Sequence, residues 1–379
     1  MKKLIFTILM LGCFLYMMVL VFNEEKRYAI FSNVDQQIRE KLQLAKLKQQ
    51  NLPTSFIPTA APTIVKISIT PVPNKKILSP IGHEYQKMNN CGPASLAIAA
   101  SYHQVNFTQF DAAAVVKGSD KDKNVRPDEM VAYLEDKGLG AIYRINGEVQ
   151  IIEQLLANEI PVIAHQWLER PDGELVGHYR VITGFDQQKK VFYSSDSFNG
   201  EKFSMTYDEF ENWWRPFNYG YIPVYKAKQE KIVQTILAEE WDEQINFERA
   251  LARSQKQLRD NEDAYNYFNL GTNYLNVGEI VQAEQAYDKA LSFEFPHYFL
   301  WYQFGPMEVY LRIGEYDKVV STADDLLDNA GEVEEARLYK ALVHLNKGNR
   351  EEAKQEVKKA LAANPRYQRA QNLLQELEE

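Results

Sequence analysis

Cys91 lies in the run Gln86-Lys87-Met88-Asn89-Asn90-Cys91-Gly92-Pro93-Ala94-Ser95, which continues as Leu96-Ala97-Ile98-Ala99-Ala100. A thiol attacks a carbonyl as its thiolate. The exposed amides and dipole at a helix amino terminus lower its pKa. Asn90 reads as an N-cap, and Pro93 is tolerated in a first turn whose amides lack intrahelical partners. The spacing therefore predicts a helix opening at Cys91 and buried through its alanines on nearly every side. Such a cysteine carries little alone, because inert buried cysteines are commoner.

A nucleophilic thiol needs a base, and the base an orienting group. Gly177-His178-Tyr179-Arg180-Val181-Ile182-Thr183-Gly184 opens a strand with a histidine, and Lys190-Val191-Phe192-Tyr193-Ser194-Ser195-Asp196 returns. A hairpin centred on Gln187 pairs residues whose numbers sum to 374, which sets His178 opposite Asp196. The carboxylate would accept one imidazole N–H and leave the other nitrogen for Cys91. A slip of one residue would put the two on opposite faces. Gln86, five residues before Cys91, has a side-chain amide that could join the Cys91 N–H as an oxyanion donor. Read alone, it is an ordinary surface glutamine.

Gln86-x4-Cys91-Gly92-Pro93-Ala94-Ser95, then Ile160-Pro161-Val162-Ile163, then Gly177-His178-Tyr179-x-Val181-x-x-Gly184 and a later Asp resembles cysteine-peptidase family 39. That family includes the bacteriocin-processing, double-glycine-leader peptidases. The resemblance covers about residues 77–226. It implies a papain-like fold, with Cys91 as nucleophile, His178 as general base, Asp196 as orienting carboxylate and Gln86 in the oxyanion hole. The sequence departs from the pattern where the usual Asp-Pro reads Asp196-Ser197; Asp186, at the turn, is the second choice for the carboxylate.

The elements that must position these groups follow from the wider pattern. Helical periodicity precedes strand-like runs at 160–167, 178–183 and 190–194, which suggests an α+β domain. Trp213 and Trp214, with Tyr207, Phe210 and Phe217, read as an aromatic layer closing its core. His83, His103 and His165 have no partner pattern and read as surface or core residues. From about residue 229 the texture is wholly helical. Gly278, Gly314 and Gly348 recur at a spacing close to the tetratricopeptide period of about 34, each ending the first helix of a pair. The middle copy is degenerate at Gly305-Pro306.

At the other end, Lys2 and Lys3 precede an apolar run from Leu4 to Phe22, long enough for a transmembrane helix. A lipoprotein-like Cys13 or a cleaved signal is the alternative. The positive-inside rule favours an extracytoplasmic carboxyl side. The organisation expected is an anchor at 1–23, a proline-bearing stalk at 24–79, the papain-like cysteine-peptidase domain at 80–226, a helical linker or cap at 227–263 and all-α tetratricopeptide-like repeats at 264–379.

Of 379 residues 45% are hydrophobic and the net charge is −9, which fits folded domains and argues against nucleic-acid binding. Two cysteines and six scattered histidines give no zinc pattern, and no cofactor is implied. The leading reading is a membrane-anchored peptidase with a peptide or protein substrate and a protein partner at the repeats. A catalytically silent peptide-binding module, an acyl-transferring thiol enzyme and a repeat scaffold remain open alternatives.

Overall fold

The computed structural model of the chain describes residues 68–119, 122–296 and 298–379. The apolar run at 4–22, and with it the anchor, lies outside them, as does most of the stalk. Among the described residues no helix is long and apolar enough to cross a membrane.

Helices Cys91–Tyr102 (α1), Gln109–Val116 (α2), Pro127–Asp136 (α3) and Val149–Ala157 (α4) come first in the domain. They pack on a seven-stranded sheet of Lys75–Ile77 (β1), Gly140–Ala141 (β2), Val162–Glu169 (β3), Leu175–Asp186 (β4), Val191–Asp196 (β5), Gly200–Thr206 (β6) and Tyr221–Tyr225 (β7). The order is β2-β7-β3-β4-β5-β6, with every neighbouring pair antiparallel and β1 added beside the far end of β4. Successive strand residues face opposite sides, so Val162 and Ala164 enter one core with Leu155, Phe192 and Trp214. Ile163 enters another, with Leu96, Ala99 and Val181. The sheet is covered on both faces.

Two corrections follow. The end of the expected stalk, from Thr70, is folded onto the domain. Thr70 N–H donates to Asn158 Oδ1 at 2.8 Å, β1 pairs with β4, and Leu78 is buried in the core. The β4–β5 register also differs from a sum of 374. Next to the turn, Asp186 pairs with Val191 and Gly184 with Tyr193; beyond an irregularity at Thr183, Ile182 pairs with Ser194 and Val181 with Ser195. The extra residue is a β-bulge, which shifts the sum from 377 to 376. Continued toward the strand ends, that register sets Asp196 opposite Arg180. His178 lies two residues along β4, on the same face. Had the turn-side register continued without the bulge, Asp196 would have faced Val181 on the other side of the sheet.

After helices Tyr207–Trp214 (α5), Glu230–Leu237 (α6) and Glu243–Asp260 (α7) come the helix pairs. These are Ala264–Val277 (α8) with Ile280–Leu291 (α9), Gly305–Ile313 (α10) with Tyr316–Ala330 (α11), and Glu334–Asn346 (α12) with Arg350–Ala363 (α13), closed by Gln368–Glu378 (α14). Gly278, Gly314 and Gly348 follow the first helix of each pair with φ of 87°, 82° and 80°, a left-handed stop that favours glycine. In the irregular middle copy, a Cβ on Gly305 would lie 2.0 Å from the Tyr287 hydroxyl of α9. Trp167 and Phe217 of the sheet domain share one core with Phe268, Tyr287 and Phe299 of the repeat region.

Candidate active site

Cys91 is the first residue of α1, and Asn90 stands at the N-cap position without a side-chain capping bond. This corrects the expected role of Asn90. Its backbone, with ψ of 22°, is not extended as a capping residue's is, and its side chain instead accepts from Lys117 Nζ at 2.9 Å. The first amides of α1 are thereby left to the sulfur and to whatever approaches it. The Gly92 and Tyr179 backbone amides both stabilise the Cys91 thiolate.

β4 brings His178 to the sulfur, and Ser95 ties helix to strand by donating from Oγ to the Tyr179 carbonyl at 2.9 Å. His178 Nε2 is 3.3 Å from Asp196 Oδ2, so Nδ1 is the ring atom that serves Cys91. Asp196 is fully buried and richly satisfied. Its Oδ2 also accepts from Arg180 Nε, while its Oδ1 accepts from Phe198 N–H at 2.8 Å and Asn199 N–H at 2.7 Å.

The electrostatics follow from these contacts. Burial alone would raise the Cys91 thiol, but the hydrogen bond and charge of His178 outweigh it and hold the thiol below its ordinary value. Burial likewise opposes a charged His178, and the Asp196 charge overcomes it, so the imidazole titrates above its ordinary value. Asp196 resists its own burial through His178 and Arg180 and sits well below the usual carboxylate range. Both shifts run in the direction of a thiolate–imidazolium pair.

Gln86 lies on the segment leading to α1. Its backbone N–H donates to the Ser197 carbonyl at 2.8 Å, and its Oε1 accepts from Ser197 Oγ at 2.8 Å. Asp186, the second choice for the carboxylate, pairs with Lys75 at 3.5 Å at the hairpin's turn end and makes no contact with His178. His165 is buried and stacked between Tyr179 and Phe217, at 4.4 and 3.8 Å between ring centroids. His103 is buried against the Val224 carbonyl at 2.8 Å, and His83 Nδ1 lies 2.9 Å from Ser195 Oγ. Phe210, Trp214 and Phe217 are core residues; Tyr207 and Trp213 are half-buried against that core.

Three neighbours carry no role in the sequence pattern. Arg180, fully buried, spans Asp196 and Gln166, donating to Gln166 Oε1 at 2.6 Å. A charge two residues after His178 in an otherwise apolar strand is its signal. Ser197 stands out in the sequence only as a departure from Asp-Pro. Tyr302, from the repeat region, has no signal at all. Its ring presses on Gly177, where a Cβ would lie 2.7 Å from it, and its phenol interacts with the Gly177 backbone and with Cys91.

Residues 72–222 match the model of the peptidase C39-like family. The chain carries a C39-like peptidase domain. Residues 264–296 and 326–367 match the tetratricopeptide repeat, so the unmatched stretch falls on the degenerate middle copy. Solved structures similar to parts of the chain include a double glycine motif protease from an AMS/PCAT transporter in complex with the leader peptide. It is 18% identical, covers 40% of this chain and 99% of that chain, and has a TM-score of 0.31. The peptidase domain of Streptococcus ComA, a bi-functional ABC transporter, is 18% identical over 40% of this chain and 98% of that chain, with a TM-score of 0.31. A thermophilic tetratricopeptide protein of Thermus thermophilus is 21% identical over 35% of this chain and 73% of that chain, with a TM-score of 0.30. No curated protein matches the chain. The C39-like domain thus holds Cys91, His178 and Asp196 in hydrogen-bonded sequence, with Gln86 fastened to the residue after Asp196.

Proposed function

We propose that this chain is a cysteine peptidase in which Cys91 is the nucleophile, His178 the general base and acid, Asp196 the orienting carboxylate and Gln86 an oxyanion donor. The observation that carries the reading is the contact order Cys91–His178–Asp196, in which each group shifts the next toward its charged form. The Cys91 thiolate attacks a peptide carbonyl carbon, a C–S bond forms, and the carbonyl electron pair moves onto oxygen. The Cys91 N–H and the Gln86 amide donate to that oxyanion. Collapse expels the amine, which takes its proton from the His178 imidazolium. Neutral His178 then takes a proton from water, the hydroxide attacks the thioester carbon, and the C–S bond breaks to return the thiolate.

The repeat pairs offer a surface for a protein partner, and the apolar run at 4–22 would hold both regions on the extracytoplasmic side of a membrane. The test is mass-spectrometric profiling of peptides released from a proteome digest by the full chain and by its Cys91→Ala form. The reading predicts cleavages present with the first and absent with the second; identical profiles would overturn it.

A further inference from the structure

Ser197 occupies the position at which the sequence departs from the Asp-Pro pattern, and it is buried to 1% exposure. It meets Gln86 twice. The Ser197 carbonyl accepts from the Gln86 backbone N–H, a contact that any residue at 197 would supply. The Ser197 hydroxyl donates to Gln86 Oε1 at 2.8 Å, a contact that needs a side-chain O–H. An amide has an acceptor end and a donor end. Fixing Oε1 on Ser197 turns the Nε2 hydrogens away from it, and no described residue accepts from that nitrogen. Without the hydroxyl the amide can rotate half a turn and present oxygen to a developing oxyanion, which it would repel.

We infer that Ser197 is a positioning residue that sets the rotamer of the Gln86 amide and so couples the Asp196 loop to the oxyanion hole. The inference rests on the peptidase reading given above. The same loop serves both ends of the reaction. Asp196 orients the imidazole while accepting from Phe198 and Asn199 amides, and the next residue aims the donor for the carbonyl oxygen.

The test uses the full chain and p-nitrophenyl acetate, an activated ester that acylates a catalytic thiolate whatever the peptide specificity. Ser197→Ala should lower kcat roughly three- to tenfold, the worth of one net hydrogen bond, with KM little changed. Ser197→Thr, which keeps the hydroxyl, should restore the wild-type rate. Gln86→Ala should lose about 100-fold, and adding Ser197→Ala to it should cost nothing further. Iodoacetamide should alkylate Cys91 in Ser197→Ala at the wild-type rate, because the thiolate–imidazolium pair is untouched. An equal loss from Ser197→Ala in both backgrounds, or slowed alkylation, would overturn the positioning role while leaving the peptidase reading standing. Wild-type turnover by Cys91→Ala would remove that reading itself.

Discussion

At the scale of single residues, the candidate site turns on one carboxylate serving two basic side chains. Asp196 is buried between the His178 imidazole and the Arg180 guanidinium, and two backbone amides hold its other oxygen. Breaking a buried pair by removing one partner leaves an uncompensated charge, which costs about 3–5 kcal/mol. Arg180→Met should therefore lower unfolding stability by that order in urea titration. The His178 titration, followed by NMR, should move upward, because the Arg180 charge works against the imidazolium. An unchanged His178 titration would show that the guanidinium does not act on it. Cys91, His178 and Asp196 were legible because their types and order are unusual together. Arg180 was hidden because a strand pattern shows that a charge is buried but not which carboxylate meets it.

At the scale of elements, α1 and β4 must stay in register for sulfur and imidazole to meet. Ser95 Oγ on the Tyr179 carbonyl is a direct tie between them, one turn into the helix and one residue beyond His178. Ser95→Ala should destabilise the fold by about 1 kcal/mol, read as a lowered Tm, and should slow Cys91 alkylation by loosening the pair. A lowered Tm with unchanged alkylation would make the bond purely structural. The hairpin itself was readable, since apolar runs flank a polar turn, but its register was not. Pairing numbers counted from a guessed turn centre miss the bulge at Thr183, and no residue type there announces it. The same-face relation of His178 and Asp196 survived because the registers near the site differ by two residues, an even number.

At the scale of the whole molecule, the repeat region reaches the candidate site. Tyr302 covers Gly177 beside Cys91, and Gln303 donates to the Pro216 carbonyl at 3.3 Å. Tyr302→Ala should speed labelling of Cys91 by a bulky maleimide several-fold, while Tyr302→Phe should label as the wild type does; equal labelling of all three would show that the ring does not limit access. A second joint sets Arg126 of the sheet domain against Glu335 of α12 at 3.3 Å. Nearby, burial pushes Glu129 up to about 7 against the pull of Arg126. A carboxyl raised in the folded state contributes stability that is complete below its unfolded value of about 4.3 and lost as pH rises through about 7. Unfolding measured across that window should show this loss, and Glu129→Gln should reduce it, leaving the share of Asp122, Glu334 and Glu335, whose carboxyls burial also raises. The repeat glycines announced the helix pairs. Which face of the array meets the sheet domain depends on surface shape, and no local pattern encodes that.

The central claim is that folding pairs an ionised Cys91 with a charged His178. The most direct measurement is the rate of Cys91 alkylation by iodoacetamide against pH, read by mass spectrometry at that residue, in the wild type and in His178→Ala. The wild type should react at pH values well below the ordinary thiol range of about 8.5, and His178→Ala should lose that acid-side reactivity. Superimposable profiles, both titrating as a free thiol, would contradict the account.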